Sequence, residues 1–236
     1  MVKDFICFFK FFIFFKLFCH IDLITYLLLY FVLFHYTSYN AVINAWAKSN
    51  DKKSVRGAER ILEQMEKEFA EGNTNIQPDV ISYYGVIDAL IQSSNKDSAE
   101  NANKVLERME KEFSNGNKIA KPDFVSYNAV IEAIAKSGDK GSAQRADHIL
   151  ERMHSHCEKK SMLRAYSAVI NAWAKSGESG SAQRAEEVLD RIEKRCIEGN
   201  TRNLYILVIN TWSQSGEDES YERADAIISR MEKLQN

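Results

Sequence analysis

Four side chains able to hold a metal crowd one short stretch: His148, His154, His156 and Cys157. A tetrahedral zinc site needs three or four such ligands converging from fixed spacings. His154 and His156 point to different sides if the helix continues through them, and no distant partner set completes the four. These residues read as polar surface, and no metal ligands or cofactor are assigned. Cys19-His20 beside Asp22 is a weaker cluster of the same kind. A nucleophile with an adjacent base, a phosphate-cradling glycine loop and a paired-carboxylate site are not recognisable, so no catalytic residue is assigned and the chain is expected to be non-enzymatic.

The chemistry that does recur is hydrogen bonding. Five stretches are copies of one unit: Tyr39-Asn-Ala-Val-Ile-Asn-Ala-Trp46, Tyr83-Tyr-Gly-Val-Ile-Asp-Ala-Leu90, Tyr127-Asn-Ala-Val-Ile-Glu-Ala-Ile134, Tyr166-Ser-Ala-Val-Ile-Asn-Ala-Trp173 and Tyr205-Ile-Leu-Val-Ile-Asn-Thr-Trp212. Their tyrosines lie 44, 44, 39 and 39 residues apart. In each copy the i, i+3, i+4, i+7 spacing seen at Tyr39, Val42, Ile43 and Trp46 makes one apolar helix face. At about 100° per residue the opposite face carries Thr37, Asn40, Asn44 and Lys48. The sister stripes are Ile81/Tyr84/Asp88/Gln92, Val125/Asn128/Glu132/Lys136, Arg164/Ser167/Asn171/Lys175 and Asn203/Ile206/Asn210/Gln214. Stacked, they line one surface of amides, hydroxyls and carboxylates that can meet a base edge, with a lysine in three of five units. An ordinary solvated face is the competing reading of the same stripe.

Positioning that stripe requires a second helix in every unit. After a polar turn, Ala58, Ile61, Leu62 and Met65 restart the helical spacing. The sister sets are Ala102/Val105/Leu106/Met109, Ala146/Ile149/Leu150/Met153, Ala185/Val188/Leu189/Ile192 and Ala224/Ile227/Ile228/Met231. The alanines permit close helix approach, and the methionine column fills gaps between units. Gly72 and Gly116 suit left-handed caps at the ends of second helices. A repeat of this period predicts an all-α solenoid of about five helical hairpins, each burying its apolar face only against its neighbours. The expected units are 36–79, 80–123, 124–162, 163–201 and 202–236.

Composition bounds the partners. The 236 residues carry 31 basic and 33 acidic side chains, a net charge of −2. Strong non-specific nucleic-acid binding usually needs a clearly basic chain, so that class is disfavoured. Four cysteines without paired spacing read as reduced thiols. Residues 1–35 form a separate apolar segment, dominated by Phe, Leu, Ile and Tyr over residues 5–34. The window from Phe11 to Phe34 is long enough for a transmembrane helix, though it contains Lys16 and Asp22. A signal-like segment and a mis-assigned start are the other readings. Phe- and Leu-rich runs are what a translated pyrimidine-rich non-coding stretch gives.

A hairpin opening with Ser-Tyr-Asn-Ala-Val-Ile, holding Ala and Met at fixed places in its second helix and closing with Pro-Asp, resembles the pentatricopeptide repeat family. The resemblance spans residues 36–236, with a few extra residues in the inner turns. The Trp-Leu-Gly-Tyr pattern of tetratricopeptide repeats is missing. The resemblance implies a right-handed alpha-alpha superhelix that binds single-stranded RNA at roughly one base per unit, in a mitochondrion or plastid. It implies roles in RNA processing, stability or translation. Carried over position by position, it assigns base reading to Asn40 with Asp79 (a pairing associated with uracil), Tyr84 with Asp123, Asn128 with Met162, Ser167 with Thr201, and Ile206. Base packing falls to Thr37, Ile81, Val125, Arg164 and Asn203, and phosphate contact to Lys48, Lys136 and Lys175. Small-molecule substrates are not implied. A protein-binding scaffold using the same inner face is the alternative, and membrane contact through residues 5–34 is a further expectation.

Overall fold

The computed structural model describes residues 39–49, 54–93, 95, 97–158, 162–195 and 201–233. The apolar segment 1–35 and Thr37 lie outside them. Among the described residues there are ten α-helices and no strand. They are α1 (39–48), α2 (Ser54–Ala70), α3 (Val80–Ser93), α4 (Ser98–Ser114), α5 (Phe124–Ser137), α6 (Ser142–Met153), α7 (Leu163–Ser176), α8 (Ser181–Lys194), α9 (Arg202–Ser215) and α10 (Ser220–Lys233). Short 3-10 turns at Thr74–Ile76 and Lys118–Ala120 follow the two longest second helices.

The helices pair as antiparallel hairpins, and the hairpins stack in chain order. Each odd-numbered helix from α3 packs on its own partner, on the second helix of the preceding hairpin, and on its odd-numbered neighbours. The row α3, α5, α7, α9 is therefore the continuous spine of a helical-repeat solenoid. The apolar columns build its core. Tyr83, Tyr127 and Tyr166 are wholly buried, as are Ala58, Ala102, Ala146 and Ala185 and Met65, Met109 and Met153. Each fully buried large aliphatic side chain is worth roughly 1.5–3 kcal/mol. No helix among the described residues is long and apolar enough to cross a membrane.

Polar groups fix the register between hairpins. The hydroxyl of Tyr83 donates to Glu66, that of Tyr127 to Glu110 and that of Tyr205 to Glu193. The same three carboxylates receive the Nε–H of Arg108 (3.2 Å), Arg152 (3.1 Å) and Arg230 (3.2 Å) from the next second helix. Each of these three junctions is thus tied by a glutamate that holds one group from either helix of the following hairpin. The third junction departs: His154 stands where glutamate stands elsewhere and meets the Tyr166 hydroxyl at 3.0 Å. Arg191 turns instead to Asp147 and Glu151, and its Nε–H is buried without an acceptor.

Candidate nucleic-acid interface

The stripe of polar residues runs along the outward edge of the odd-numbered helices, and its members differ in what holds them. In α1, Asn40 donates from Nδ2 to Asp79 Oδ1 (3.1 Å) and accepts from Ser82 Oγ (2.7 Å). Asn40 and Asp79 are each only 7 % exposed. Asp79 Oδ1 also accepts from the backbone N–H of Ser82 at 2.8 Å, which caps the first turn of α3. Asp123 does the same for α5 through Ser126 (2.9 Å). The Pro-Asp closures are therefore helix caps as well as base-reading candidates.

Met162 and Thr201 occupy the corresponding cap positions of α7 and α9, and neither makes a side-chain cap bond. Met162 is 1 % exposed and belongs to the core, so its side chain is not presented to a base. An apolar side chain at that position gains more from burial than from the rim. Thr201 is half-buried. Tyr84 and Ser167 are half-buried and open to the surface, whereas Asn128 is buried with its Oδ1 unpartnered. Burial, then the charges of Asp88 and Asp123, raises the Tyr84 phenol above its ordinary range. Ile206 is exposed and offers no hydrogen bond. Ile81 and Val125 are exposed, as the base-packing role requires, and so are Arg164 and Asn203. Lys48, Lys136 and Lys175 project into solvent near the ends of their helices.

A concavity of about 870 Å³ lies across α5, α7 and α9. Glu132, Lys136, Arg164, Ser167, Asn171, Lys175 and Asn203 supply its polar walls, over Ala135, Leu163, Ala168 and Leu204. Three cations against one carboxylate make it locally basic in a chain that is acidic overall. Arg164 reaches back from α7 to Glu132 on α5, and Lys136 approaches the same carboxylate at 3.4 Å. The Arg164 hydrogen bond holds the Glu132 carboxyl below its usual range against the opposing effect of burial. Asn171 spends one amide N–H on the Ser167 carbonyl (2.8 Å), which leaves its second N–H and its oxygen toward the groove. Such a surface can offer donors and acceptors to base edges and cations to phosphates.

The histidine cluster is dispersed by the end of α6 at Met153. His154 faces Tyr166, while His156 stacks on Tyr127 and meets Phe113 edge-on. Burial pushes the Cys157 thiol up to about 11, so it is neither a ready ligand nor a nucleophile. Among the described residues no group of three His, Cys, Asp or Glu side chains could hold a metal ion. What the sequence reading missed is the glutamate–tyrosine–arginine tie. Its signal was present in the recurring Arg-Met-Glu of the second helices, at Arg108-Met-Glu110 and Arg230-Met-Glu232. Attention to apolar columns alone passed over it.

No curated protein sequence matches this chain. The sequence model of the pentatricopeptide repeat domain matches residues 71–137, which comprise the cap of α2 and the whole of α3, α4 and α5. The hairpins on either side repeat the tyrosine, alanine and methionine or isoleucine columns, buried throughout at Tyr166, Ala185 and Ile192 and partly buried at Tyr39 and Met231. The chain thus carries a pentatricopeptide repeat domain at residues 71–137, set within a stack of helical hairpins.

Proposed function

We propose that the protein binds single-stranded RNA along the exposed edge of the odd-numbered helices, with the groove across α5, α7 and α9 as its strongest contact. The observation that carries this reading is the local basicity of that groove, where Lys136, Arg164 and Lys175 flank hydrogen-bonding side chains from three consecutive hairpins. Lys48 extends the phosphate-contacting set to α1. Ile81, Val125 and Asn203 serve as base-packing positions, and Asn40, Tyr84, Asn128 and Ser167 as base-facing ones. Asp79 and Asp123 orient these through the caps they form, and Thr201 occupies the equivalent place before α9. The pentatricopeptide repeat match at residues 71–137 supports a role in processing, stabilising or translating transcripts in a mitochondrion or plastid.

Filter binding on a random pool of short RNAs tests the reading. Retention at low salt is expected, with at least a tenfold loss in a Lys136→Ala, Lys175→Ala double variant and little loss in Lys104→Ala on α4. No retention of the pool, or equal loss in both variants, counts against it. One observation favours a protein-binding scaffold instead: Ile206 places an exposed aliphatic side chain at a base-reading position, 40 % exposed. Selective capture of apolar peptides, abolished by Ile206→Ser while RNA is ignored, supports that second reading.

A further inference from the structure

A second concavity of about 430 Å³ lies between α6 and the α7–α8 turn, lined in part by Trp173, Asp147, Glu151, Glu178 and Arg184. Trp173 is 94 % buried by its 6 % exposure, and its indole Nε1–H has no acceptor. Trp212, its counterpart in the next hairpin, donates to Glu186 at 2.9 Å. The residue in register with Glu186 is Asp147, one methylene shorter and drawn onto Arg191. The acceptor that satisfies one tryptophan is thus missing for the other. A buried N–H without a partner costs about 1–3 kcal/mol, so an incoming oxygen would be favoured there.

The charge of the crevice narrows what could bring that oxygen. Glu178 uses Oε1 to accept from the Gly141 N–H (3.1 Å), and Asp147 uses Oδ1 for Arg191. Each keeps a second carboxylate oxygen available. Arg184, the cation in the lining, is paired with Glu187 at 2.9 Å. Asp147 and Glu151 share Arg191, and Glu151 also meets Arg195 at 3.8 Å. Glu178 enters none of the ion pairs among the described residues and is the carboxylate that favours an ammonium or guanidinium over a nucleic-acid backbone. From the orphaned indole and the Glu178 carboxylate together, we infer that this crevice binds a lysine- or arginine-bearing peptide segment. A backbone carbonyl meets Trp173 and the basic side chain meets Glu178. The rim consists of long side chains such as Gln144 and Arg184, which can turn to admit it. This site does not depend on the RNA reading of the groove.

The test is an amide and indole correlation spectrum of the ¹⁵N-labelled chain, titrated with acetyl-Gly-Lys-Gly-amide. Trp173→Phe assigns the indole signal. A saturable shift of the Trp173 indole is expected, with the Trp46 and Trp212 indoles unmoved. Glu178→Gln keeps an acceptor for Gly141 and should weaken the apparent affinity at least threefold. Acetyl-Gly-Glu-Gly-amide, and spermidine, which lacks a carbonyl, should leave the indole in place. The proposal is overturned if the lysine peptide gives no saturable shift, if the glutamate peptide or spermidine shifts the indole equally, or if Glu178→Gln binds as well as wild type.

Discussion

Glu66, Glu110 and Glu193 each gather a tyrosine hydroxyl and an arginine from the hairpin that follows, whereas His154 offers only a ring nitrogen to Tyr166. His154→Glu would give both Tyr166 and the orphaned Arg191 Nε–H a carboxylate. Glu107 and Glu110 already coexist at the same spacing that Glu151 and the new glutamate would have. Urea denaturation should show a gain of about 1.5–3 kcal/mol, the range for hydrogen bonds to charged groups. The native histidine also carries a pH dependence. Burial first, then Arg195 and Arg191, lowers its pKa, while Glu151 opposes them. A base with a depressed folded pKa binds fewer protons when folded, so stability is lost as pH falls below the ordinary histidine value of about 6.5. Thermal melts between pH 8 and pH 5 should therefore drop further for wild type than for His154→Gln. Parallel curves would contradict that assignment.

At the scale of elements, the hairpins hold together through close approach and through the arginine ties. Gly85 on α3 faces Ile43 on α1, and a Cβ there would lie 2.6 Å from its methyl carbon. Gly85→Ala, which would stabilise a solvent-exposed helix, should here cost about 1–3 kcal/mol by overpacking. Arg152 bridges Glu110, Glu107 and Asn103. Removing it with Arg152→Ala should cost about 2 kcal/mol by leaving Glu110 short of its charged partner. Calorimetry on each variant checks both values. Helix pairing was legible in the sequence because the columns through Tyr83, Ala102 and Met109 repeat at helical spacing, and a solenoid translates such repetition directly into contacts. Legibility ended where one residue has two roles. Asp79 could be paired with Asn40 through the family resemblance, but that it caps α3 and hydrogen-bonds both Asn40 and Ser82 is visible in the three-dimensional arrangement alone. Met162 follows the pattern in register, yet its environment is the core. The orphaned Trp173 N–H could not be foreseen, since it depends on where Arg191 turns.

Across the whole molecule, near-neutral net charge conceals an uneven distribution. Carboxylates and arginines neutralise one another between the even-numbered helices, while Lys136, Arg164 and Lys175 collect at one groove among the odd-numbered ones. Composition alone therefore understates how well the chain can meet a phosphate backbone. The groove predicts a modest affinity that depends steeply on salt, because few cations act and each releases counterions. Single-strand binding lowers log affinity by about 0.7 per contacted phosphate for each unit of log salt. The decisive measurement is the salt dependence of single-stranded RNA binding by wild type and by the Lys136→Ala, Arg164→Ala, Lys175→Ala triple variant. The account predicts that the triple variant binds more weakly and that its log–log slope is shallower by about 2. Identical slopes for the two proteins would contradict the groove as the RNA-binding surface.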